Sequence, residues 1–359
     1  MSSVQSSETH NGFSIAPLPT VDHARLEAKD GEEAQRLLDA CKTHGFFYLN
    51  LRSVGTILSD WQQVLRIMEK YFSQDLMAKM KDDRRSDTYG SSYEPCGTSA
   101  GAVPGTLDFY ETLKVNIMVE RALIQKTKHN QIARSEMYEK SASLPQTAKD
   151  NLELFDRFIR AADTITTTIL ARLSDVFNLC SGSRFEDKHR PGGKSQSTLA
   201  LFRYPKQDVQ DNKVGHNKHT DIGTLTLLFS EQWGLQVLSP ETSEWNFVAP
   251  KRDHAVVNVG DSLRFLSGNV LKSCVHRVAP RNVSCRQEEH RYSIAYFLRA
   301  EDVVQYEDSK GRVISARDWH DEKYEAFRMG HDESNSDRIL TGGMEKGGQF
   351  IVSTISEDE

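Results

Sequence analysis

Apolar residues in the first half of the chain are spaced as in amphipathic helices. They recur every three or four residues over 31–42 and 59–71, and most regularly over about 148–179. The longest stripe predicts a scaffold helix that lies against a flat apolar surface, most simply a sheet. Between these helices, residues 86–105 are rich in Gly, Ser, Pro and Tyr, which predicts a long loop or a pair of short strands.

The pattern changes near residue 195, where short β-type runs begin. Turn residues such as Gly260-Asp261 and Gly268-Asn269 separate the runs. Short strands at this spacing favour a sandwich or jelly roll over alternating βαβ units. A helix is predicted again over 316–327. The predicted strands are 198–204, 224–229, 235–238, 255–259, 263–266 and 292–298.

These elements predict a mainly β core with α, folded as one domain over residues 14–359. The polar, Ser-rich residues 1–13 predict a mobile tail. Within the domain, 14–194 is expected to be mainly helical, 195–305 to form the β core, and 306–359 to form a helical extension.

Composition and charge restrict the function classes. Hydrophobic residues make up 38% and charged residues 27%, as in ordinary soluble proteins. The formal net charge of -6 argues against nucleic acid as a partner. No apolar run approaches the ~20 residues of a membrane span, and we expect neither a membrane partner nor a signal peptide. Five cysteines without C-x-x-C spacing predict a reducing, cytoplasmic location. The oligomeric state is left open.

A first group of candidate ligands lies just before the predicted strand 224–229. In extended backbone, side chains two residues apart point to the same side, so His219 and Asp221 would face one point. His216 is out of phase with them and is predicted to be a surface residue. A lone H-x-D pair is weak evidence for a metal site.

His276 lies 55 residues after Asp221, on another predicted strand. Alone, it would be interpreted as a hydrogen-bonded core histidine. Two imidazoles and one carboxylate, however, form the facial triad of non-haem Fe(II) oxygenases. Three protein ligands leave three positions of an octahedron open for a bidentate co-substrate and O₂.

Arg291 and Ser293 share one face of a strongly β segment. A planar guanidinium can bind a carboxylate through two hydrogen bonds, and the serine hydroxyl can add a third. On a half-buried strand the arginine needs an anionic partner, because an unpaired buried charge is costly. Taken alone, Arg291 would be interpreted as a structural ion-pair residue.

In this order, the motifs resemble the isopenicillin N synthase-like branch of the Fe(II)/2-oxoglutarate-dependent dioxygenases, over most of the chain. The matching segments are His219-Thr-Asp221-Ile-Gly-Thr-Leu-Thr-Leu-Leu, Gly234-Leu-Gln-Val-Leu, Asn258-Val-Gly-Asp261, Lys272-Ser-Cys-Val-His276-Arg-Val, Arg291-Tyr-Ser293 and the N-terminal Ala40-Cys-Lys-Thr-His-Gly-Phe-Phe-Tyr-Leu49.

The resemblance implies a distorted double-stranded β-helix, or jelly roll, wrapped by N- and C-terminal helices. It also implies that His219, Asp221 and His276 hold one Fe(II). The reaction would be O₂-dependent oxidation of a small organic molecule by hydroxylation, desaturation or cyclisation. Succinate and CO₂ would be released from the co-substrate 2-oxoglutarate.

By the same resemblance, Arg291 and Ser293 would bind the distal carboxylate of 2-oxoglutarate. Tyr204, in Phe202-Arg-Tyr-Pro205, matches a tyrosine that also reaches that carboxylate. Phe202 and Phe297 are expected near the substrate pocket, with a plain core role as the alternative.

Three positions depart from the family pattern. Asn50-Leu-Arg52 replaces Asn-His-Gly, which affects a loop, and Gly268-Asn269 replaces Asn-Gly, where both residues tolerate a tight turn. The step from His276 to Arg291 is longer than usual and predicts a lengthened hairpin loop over 281–290. Arg286 is the alternative clamp, but it lacks a serine two residues on.

Three alternative functions remain open from the sequence. An oxidase of the same fold could work without 2-oxoglutarate. Two histidines and an aspartate also suit Zn²⁺ in a hydrolase, although no H-E-x-x-H motif accompanies them. A binding protein that has lost turnover is the third alternative.

Overall fold

The computed structural model describes most of the chain in ranges separated by gaps. The described residues are 9–10, 13–83, 92–99, 101, 107–115, 144–191, 193–206, 215–239, 242–279, 289–328, 339–346 and 349–350. The helices are α1 (His23–Glu27), α2 (Gly31–Thr43), α3 (Ile57–Phe72), α4 (Leu76–Met80), α5 (Gln146–Asp150), α6 (Leu152–Val176), α7 (Asp261–Leu266) and α8 (Ala316–Arg328). Within these ranges, no helix is both long enough and apolar enough to cross a membrane.

The strands are numbered in chain order. They are β1 (Thr9–His10), β2 (Phe13–Ser14), β3 (Thr20–Asp22), β4 (Phe46–Asn50), β5 (Ser92–Glu94), β6 (Glu111–Val115), β7 (Thr198–Tyr204), β8 (His216–His219), β9 (Leu225–Phe229), β10 (Leu235–Leu238), β11 (Trp245–Phe247), β12 (His254–Val259), β13 (His276–Val278), β14 (Arg291–Leu298), β15 (Gln305–Glu307), β16 (Val313–Ser315), β17 (Glu345–Lys346) and β18 (Gln349–Phe350).

Two sheets pack against each other in the core. The large sheet has eight strands in the order β3-β4-β12-β9-β14-β7-β6-β5, and the small sheet has four in the order β11-β10-β13-β8. Neighbouring strands in these sheets run antiparallel, except for the parallel pair β3 and β4. Phe46 and Tyr48 of β4 pack against Leu235 and Val237 of β10 between the sheets. Two β layers with surrounding helices agree with the predicted jelly roll.

Strand alternation gives the large sheet two buried faces. In β14, Ile294, Tyr296 and Leu298 belong to the main core, which also contains the α6 side chains. Phe158 of α6 contacts Phe229 of β9, with ring centroids 5.1 Å apart. The long helix therefore lies against a sheet, as predicted. The odd-numbered residues of β14 point the other way, towards the small sheet.

Most predicted elements are confirmed, and the differences have physical reasons. The predicted strand 263–266 is wrong, because Asp261–Leu266 forms the helix α7. A short apolar run can belong to a strand or to a buried helix, and periodicity alone does not separate them. Gly268 and Asn269 follow with φ of 64° and 65°, so this turn uses positive φ at both positions. The helix expected over 148–179 is divided into α5 and α6.

The two ends of the chain contain strands in addition to the predicted helices. The mainly helical N-terminal part supplies four strands, β3 to β6, to the large sheet. The C-terminal part contains the β15–β16 hairpin before α8, which the sequence analysis did not predict. Of the predicted tail, Thr9–His10 pairs with Phe13–Ser14, and 1–8 and 11–12 lie outside the described residues. Residues 280–288, with Arg286 and most of the predicted long loop, also lie outside them.

Candidate active site

Three predicted ligands lie together between the two sheets. His219 ends β8 and lies directly opposite His276, the first residue of β13. The Nε2 atoms of the two imidazoles lie 3.6 Å and 3.7 Å from Oδ1 of Asp221. One ligand atom from each residue lies within 4.8 Å of the others, and all three side chains are buried. Such a set can hold one metal ion.

The imidazoles are held so that Nε2 of each ring faces the carboxylate. Nδ1 of His219 donates to the backbone oxygen of Asn217 at 2.7 Å. Nδ1 of His276 donates to the backbone oxygen of Cys274 at 3.1 Å. A proton on Nδ1 leaves the Nε2 lone pair free, which is the tautomer that a metal ligand needs.

The carboxylate of Asp221 is oriented by the large sheet. Its Oδ2 accepts hydrogen bonds from the Thr226 hydroxyl at 2.5 Å and from Nδ2 of Asn258 at 2.6 Å. The other oxygen, Oδ1, faces the two Nε2 atoms. The donor set of two imidazoles and one oriented carboxylate oxygen therefore fits a facial Fe(II) triad.

The pKa shifts of His276 and Asp221 match the protonation states of metal ligands. Burial lowers the pKa of His276 to about 4, which keeps the imidazole neutral. Burial alone would raise the pKa of Asp221. The pKa of Asp221 is instead held well below its ordinary value by interactions with His276 and His219 and by the hydrogen bond from Asn258. Neutral imidazole and ionised carboxylate are the forms that bind metals.

A buried arginine lies on the large sheet. Arg291 of β14 is the direct register partner of Tyr204 of β7, and its guanidinium carbon lies 4.8 Å from the Tyr204 ring centre. Nη1 donates to the Ser293 hydroxyl at 3.3 Å and Nε to the Trp233 backbone oxygen at 2.9 Å. A Cβ at Gly234 would come within 2.9 Å of Nε, so glycine allows this close approach.

Arg291 lacks a carboxylate partner within the described ranges. Burial lowers the pKa of its guanidinium, and the neighbouring Tyr204 acts in the opposite direction. A buried cation without an anion is unfavourable. The cluster of Arg291, Ser293 and Tyr204 therefore fits an anionic ligand. It offers that ligand one planar guanidinium and two hydroxyl groups.

A cavity lies beside the His219–Asp221 pair. Both predicted pocket aromatics, Phe202 and Phe297, line this cavity, and their ring centroids lie 6.4 Å apart. Arg299 lines it as well. The structure therefore places the two predicted aromatics next to the candidate metal ligands.

The prediction that His216 is a surface residue is wrong. Its ring stacks on His219 at a centroid distance of 4.3 Å and lies 4.5 Å from the Tyr110 ring. The pairing of β13 with β8 shifts register between His276 and Val278, so the simple alternation of sides fails there. His216 consequently lines the same cavity as His219.

Several residues of this site were not singled out by the sequence analysis. Asn258 stood in a matching family segment but received no role. Arg299 lies two residues after Phe297 and directly after the end of β14, so extending the strand period by one residue would have indicated it. Lys114 and Tyr324 come from β6 and α8 and carried no local signal. Tertiary packing alone brings these two residues to the cavity.

Two family models match the chain. One, described as the 2OG-Fe(II) oxygenase superfamily, matches residues 195–300. The other, described as the non-haem dioxygenase in morphine synthesis N-terminal region, matches residues 18–141. The first match contains all three candidate metal ligands and the Arg291 cluster.

Curated relatives and a solved structure agree with these matches. Oxidoreductase vrtI of Penicillium aethiopicum is 48% identical, over 93% of this chain and 76% of its own length. The 2-oxoglutarate-dependent dioxygenase frbH of Dothideomycetidae sp. (strain 11243) is 47% identical, over 92% of this chain and 96% of its own length. A full-length Neurospora crassa protein, solved in complex with alpha-KG, is 20% identical, with a TM-score of 0.66, over 86% of this chain and 95% of its own.

The chain belongs to the 2OG-Fe(II) oxygenase superfamily. The predicted jelly-roll fold and the dioxygenase class, with Fe(II), 2-oxoglutarate and O₂, are confirmed. The zinc hydrolase and the inactive binding protein are thereby set aside.

Proposed function

We propose that His219, Asp221 and His276 hold the Fe(II) of this dioxygenase. The observation that carries the proposal is the set of three buried ligand atoms within 4.8 Å of one another. The remaining nitrogen of each ring and the remaining carboxylate oxygen are already hydrogen-bonded. One atom of each residue is thus left for the metal.

We further propose that Arg291, Ser293 and Tyr204 bind the distal carboxylate of 2-oxoglutarate. Bound Fe(II) supplies O₂ activation, which couples the oxidative decarboxylation of 2-oxoglutarate to oxidation of a substrate C–H bond. The protein positions the reactants. Arg291 sets the orientation of the co-substrate, while the burial of both clusters excludes bulk water.

The substrate is a small organic molecule in this proposal, and the cavity lined by Phe202 and Phe297 receives it. The structurally similar Neurospora crassa protein has been crystallised with alpha-KG and thymine, which is a small molecule. Hydroxylation, desaturation and cyclisation all begin at a substrate C–H bond, so the geometry is compatible with each.

We also propose a branch of the family and a cellular location for the protein. The N-terminal family match at 18–141 supports a place in the isopenicillin N synthase-like branch. A cytoplasmic location is supported by Cys41 and Cys274, which are buried free thiols.

Binding of 2-oxoglutarate to the Mn(II)-loaded protein tests the clamp without turnover. We expect Arg291→Gln to weaken binding by roughly tenfold or more, because a charge-assisted fork is lost. Titration calorimetry measures the affinity. Arg291→Lys should recover part of it, since lysine keeps the charge but not the fork.

The matched control is Arg160→Gln, which removes an exposed arginine of α6 that pairs with Asp156. It should bind 2-oxoglutarate as tightly as the wild type. Unchanged affinity in folded Arg291→Gln would contradict the proposed clamp.

A further inference from the structure

The odd-numbered residues of β14 lie on one face of the strand, and this face runs from the cluster of Arg291, Ser293 and Tyr204 towards the cavity. Arg291 and Ser293 begin this face, Phe297 follows, and Arg299 lies one step beyond the end of the strand. Phe297 and Arg299 both line the cavity beside the candidate metal ligands. One strand face therefore presents a cation at each end.

The guanidinium of Arg299 is held by one hydrogen bond, while another of its N–H donors has no partner among the described residues. Nη1 donates to the backbone oxygen of Gln196. Nε is buried and has no hydrogen-bond partner among the described residues. A Cβ at Gly223 would come within 2.8 Å of the Arg299 Cγ, so the glycine makes room for this side chain. The packing fixes the arginine while leaving a donor available.

No carboxylate in the described ranges forms an ion pair with Arg299. The charge of Asp221 raises the Arg299 pKa, but the Asp221 carboxylate already accepts hydrogen bonds from Asn258 and Thr226 and faces the proposed metal. Burial lowers the Arg299 pKa to about 10, so the group stays charged at neutral pH. Arg299 is half-buried, and a guanidinium whose buried Nε has no partner is stabilised by an anion that comes from outside the chain.

Two other cations, Lys114 and Arg328, line the cavity, and both differ from Arg299. Arg328 is exposed to solvent at the end of α8. Nζ of Lys114 lies 2.7 Å from Oε1 of Glu94 and 3.1 Å from the Tyr324 hydroxyl. This lysine is therefore neutralised within the protein. Arg299 is the one of these three cations whose Nε is buried without a hydrogen-bond partner among the described residues.

The co-substrate cannot supply that charge while it is held by Arg291. The two arginines are eight positions apart, and an extended strand rises about 3.3 Å per residue, which places their backbones roughly 26 Å apart. A five-carbon dicarboxylate is too short to bridge both guanidinium groups and also reach the metal.

We propose that Arg299 binds a carboxylate of the substrate, so that the substrate class is small organic acids. The inference rests on the proposed function, because it assigns the cavity to the substrate. The Nε edge of the guanidinium matches the two oxygens of a carboxylate. Phe297, whose ring centre lies 5.2 Å from the guanidinium carbon, and its neighbour Phe202 fit an apolar body attached to that acid group.

The test follows the visible charge-transfer band of the anaerobic protein loaded with Fe(II) and 2-oxoglutarate. Propionate, benzoate and phenylacetate are each titrated beside their primary amides at constant ionic strength. We expect at least one acid to shift the band saturably, and its amide not to do so. Arg299→Gln should weaken the response by roughly tenfold or more, and Arg299→Lys by less.

Two controls keep the result interpretable. Arg36→Gln removes an exposed arginine of α2 and should respond as the wild type does. The band of Arg299→Gln before acid is added shows whether this variant has folded and bound both cofactors. If that variant does not fold, the Arg299→Lys comparison decides, and an unweakened acid response there overturns the proposal.

Several results would overturn the proposal. They are no saturable shift with any of the three acids, amides that bind as tightly as acids, or an acid response unchanged in Arg299→Gln. An acid that erases the wild-type band by displacing 2-oxoglutarate also overturns the proposal. A wild-type band that never forms would instead refute the proposed function, so the two failures are distinguishable.

Discussion

At the scale of single residues, Asp221 shows how the site depends on side chains that are not ligands. Its Oδ2 is held by Thr226 of β9 and Asn258 of β12. Its backbone oxygen accepts a hydrogen bond from the Asp261 amide at 2.8 Å. Because these bonds set the direction of Oδ1, changes to the supporting residues should alter metal affinity while all three ligands remain.

Asn258→Ala tests this support. Losing the amide donor should lower Fe(II) affinity on the order of 10–100-fold, since the carboxylate is no longer held in place. Anaerobic metal titration measures the change. Asn50→Ala is the matched control, because Asn50 lies on neighbouring β4 and bonds to Asp22 instead. Equal losses in the two variants would argue against a specific effect on Asp221.

His189 provides a pH-dependent prediction away from the metal ligands. Burial lowers its pKa to about 4, and its ring nitrogens lie 2.9 Å from the Phe185 backbone oxygen and 2.8 Å from the Thr224 hydroxyl. Between this pKa and the ordinary value near 6.5, the unfolded chain binds more protons than the folded one, so stability falls as the pH drops through that window.

Replacing His189 with Gln removes this contribution. The free energy of unfolding of the variant should fall less steeply between pH 7 and pH 5 than that of the wild type. Urea denaturation at several pH values measures both slopes. If the free energy of unfolding depends on pH equally in the variant and the wild type, His189 does not titrate as described.

At the scale of elements, α8 connects the C-terminal part to the metal site through one buried charge. Lys323 is fully buried, and its Nζ lies 2.5 Å from Oδ2 of Asp261 and 2.6 Å from the Thr220 hydroxyl. Thr220 stands between two candidate ligands in the chain. The helix therefore helps to hold the loop that carries Asp221.

Lys323→Met should lower the free energy of unfolding by about 3 to 5 kcal/mol, because it removes the closer of the two cations that pair with the buried Asp261 carboxylate and leaves only Arg264 at 3.5 Å. The double variant with Asp261→Asn should recover part of that loss. Lys310→Met is the control, since its ion pair with Glu322 is exposed and is worth less than about 1 kcal/mol. Chemical denaturation compares the variants, and similar losses in both single variants would contradict this role of Lys323.

At the scale of the whole molecule, the sequence predicted what depends on local periodicity. Alternation along the strands anticipated that His219 and Asp221 share one side, and the structure brings both next to His276. The strand 198–204 and the helix 31–42 were predicted closely for the same reason. The ligand roles of these residues stay predictions until metal binding is measured.

What the sequence did not predict depends on contacts between distant segments. A register shift in the small sheet turned His216 into the cavity, and no local pattern shows such a shift. Lys114 and Tyr324 are 210 positions apart and meet through packing of α8 against β6. The run at 263–266 became a helix because its apolar residues fit either element.

The central claim is that His219, Asp221 and His276 hold Fe(II), to which 2-oxoglutarate binds beside Arg291. Anaerobic titration with Fe(II) and then 2-oxoglutarate, followed by visible absorption, tests it most directly. The wild type should develop the weak charge-transfer band of the chelate. His219→Ala should abolish it and Arg291→Ala should weaken it, while His254→Ala, a histidine on β12 outside the cluster, should retain it. No band in the wild type, or an unchanged band in His219→Ala, would contradict the account.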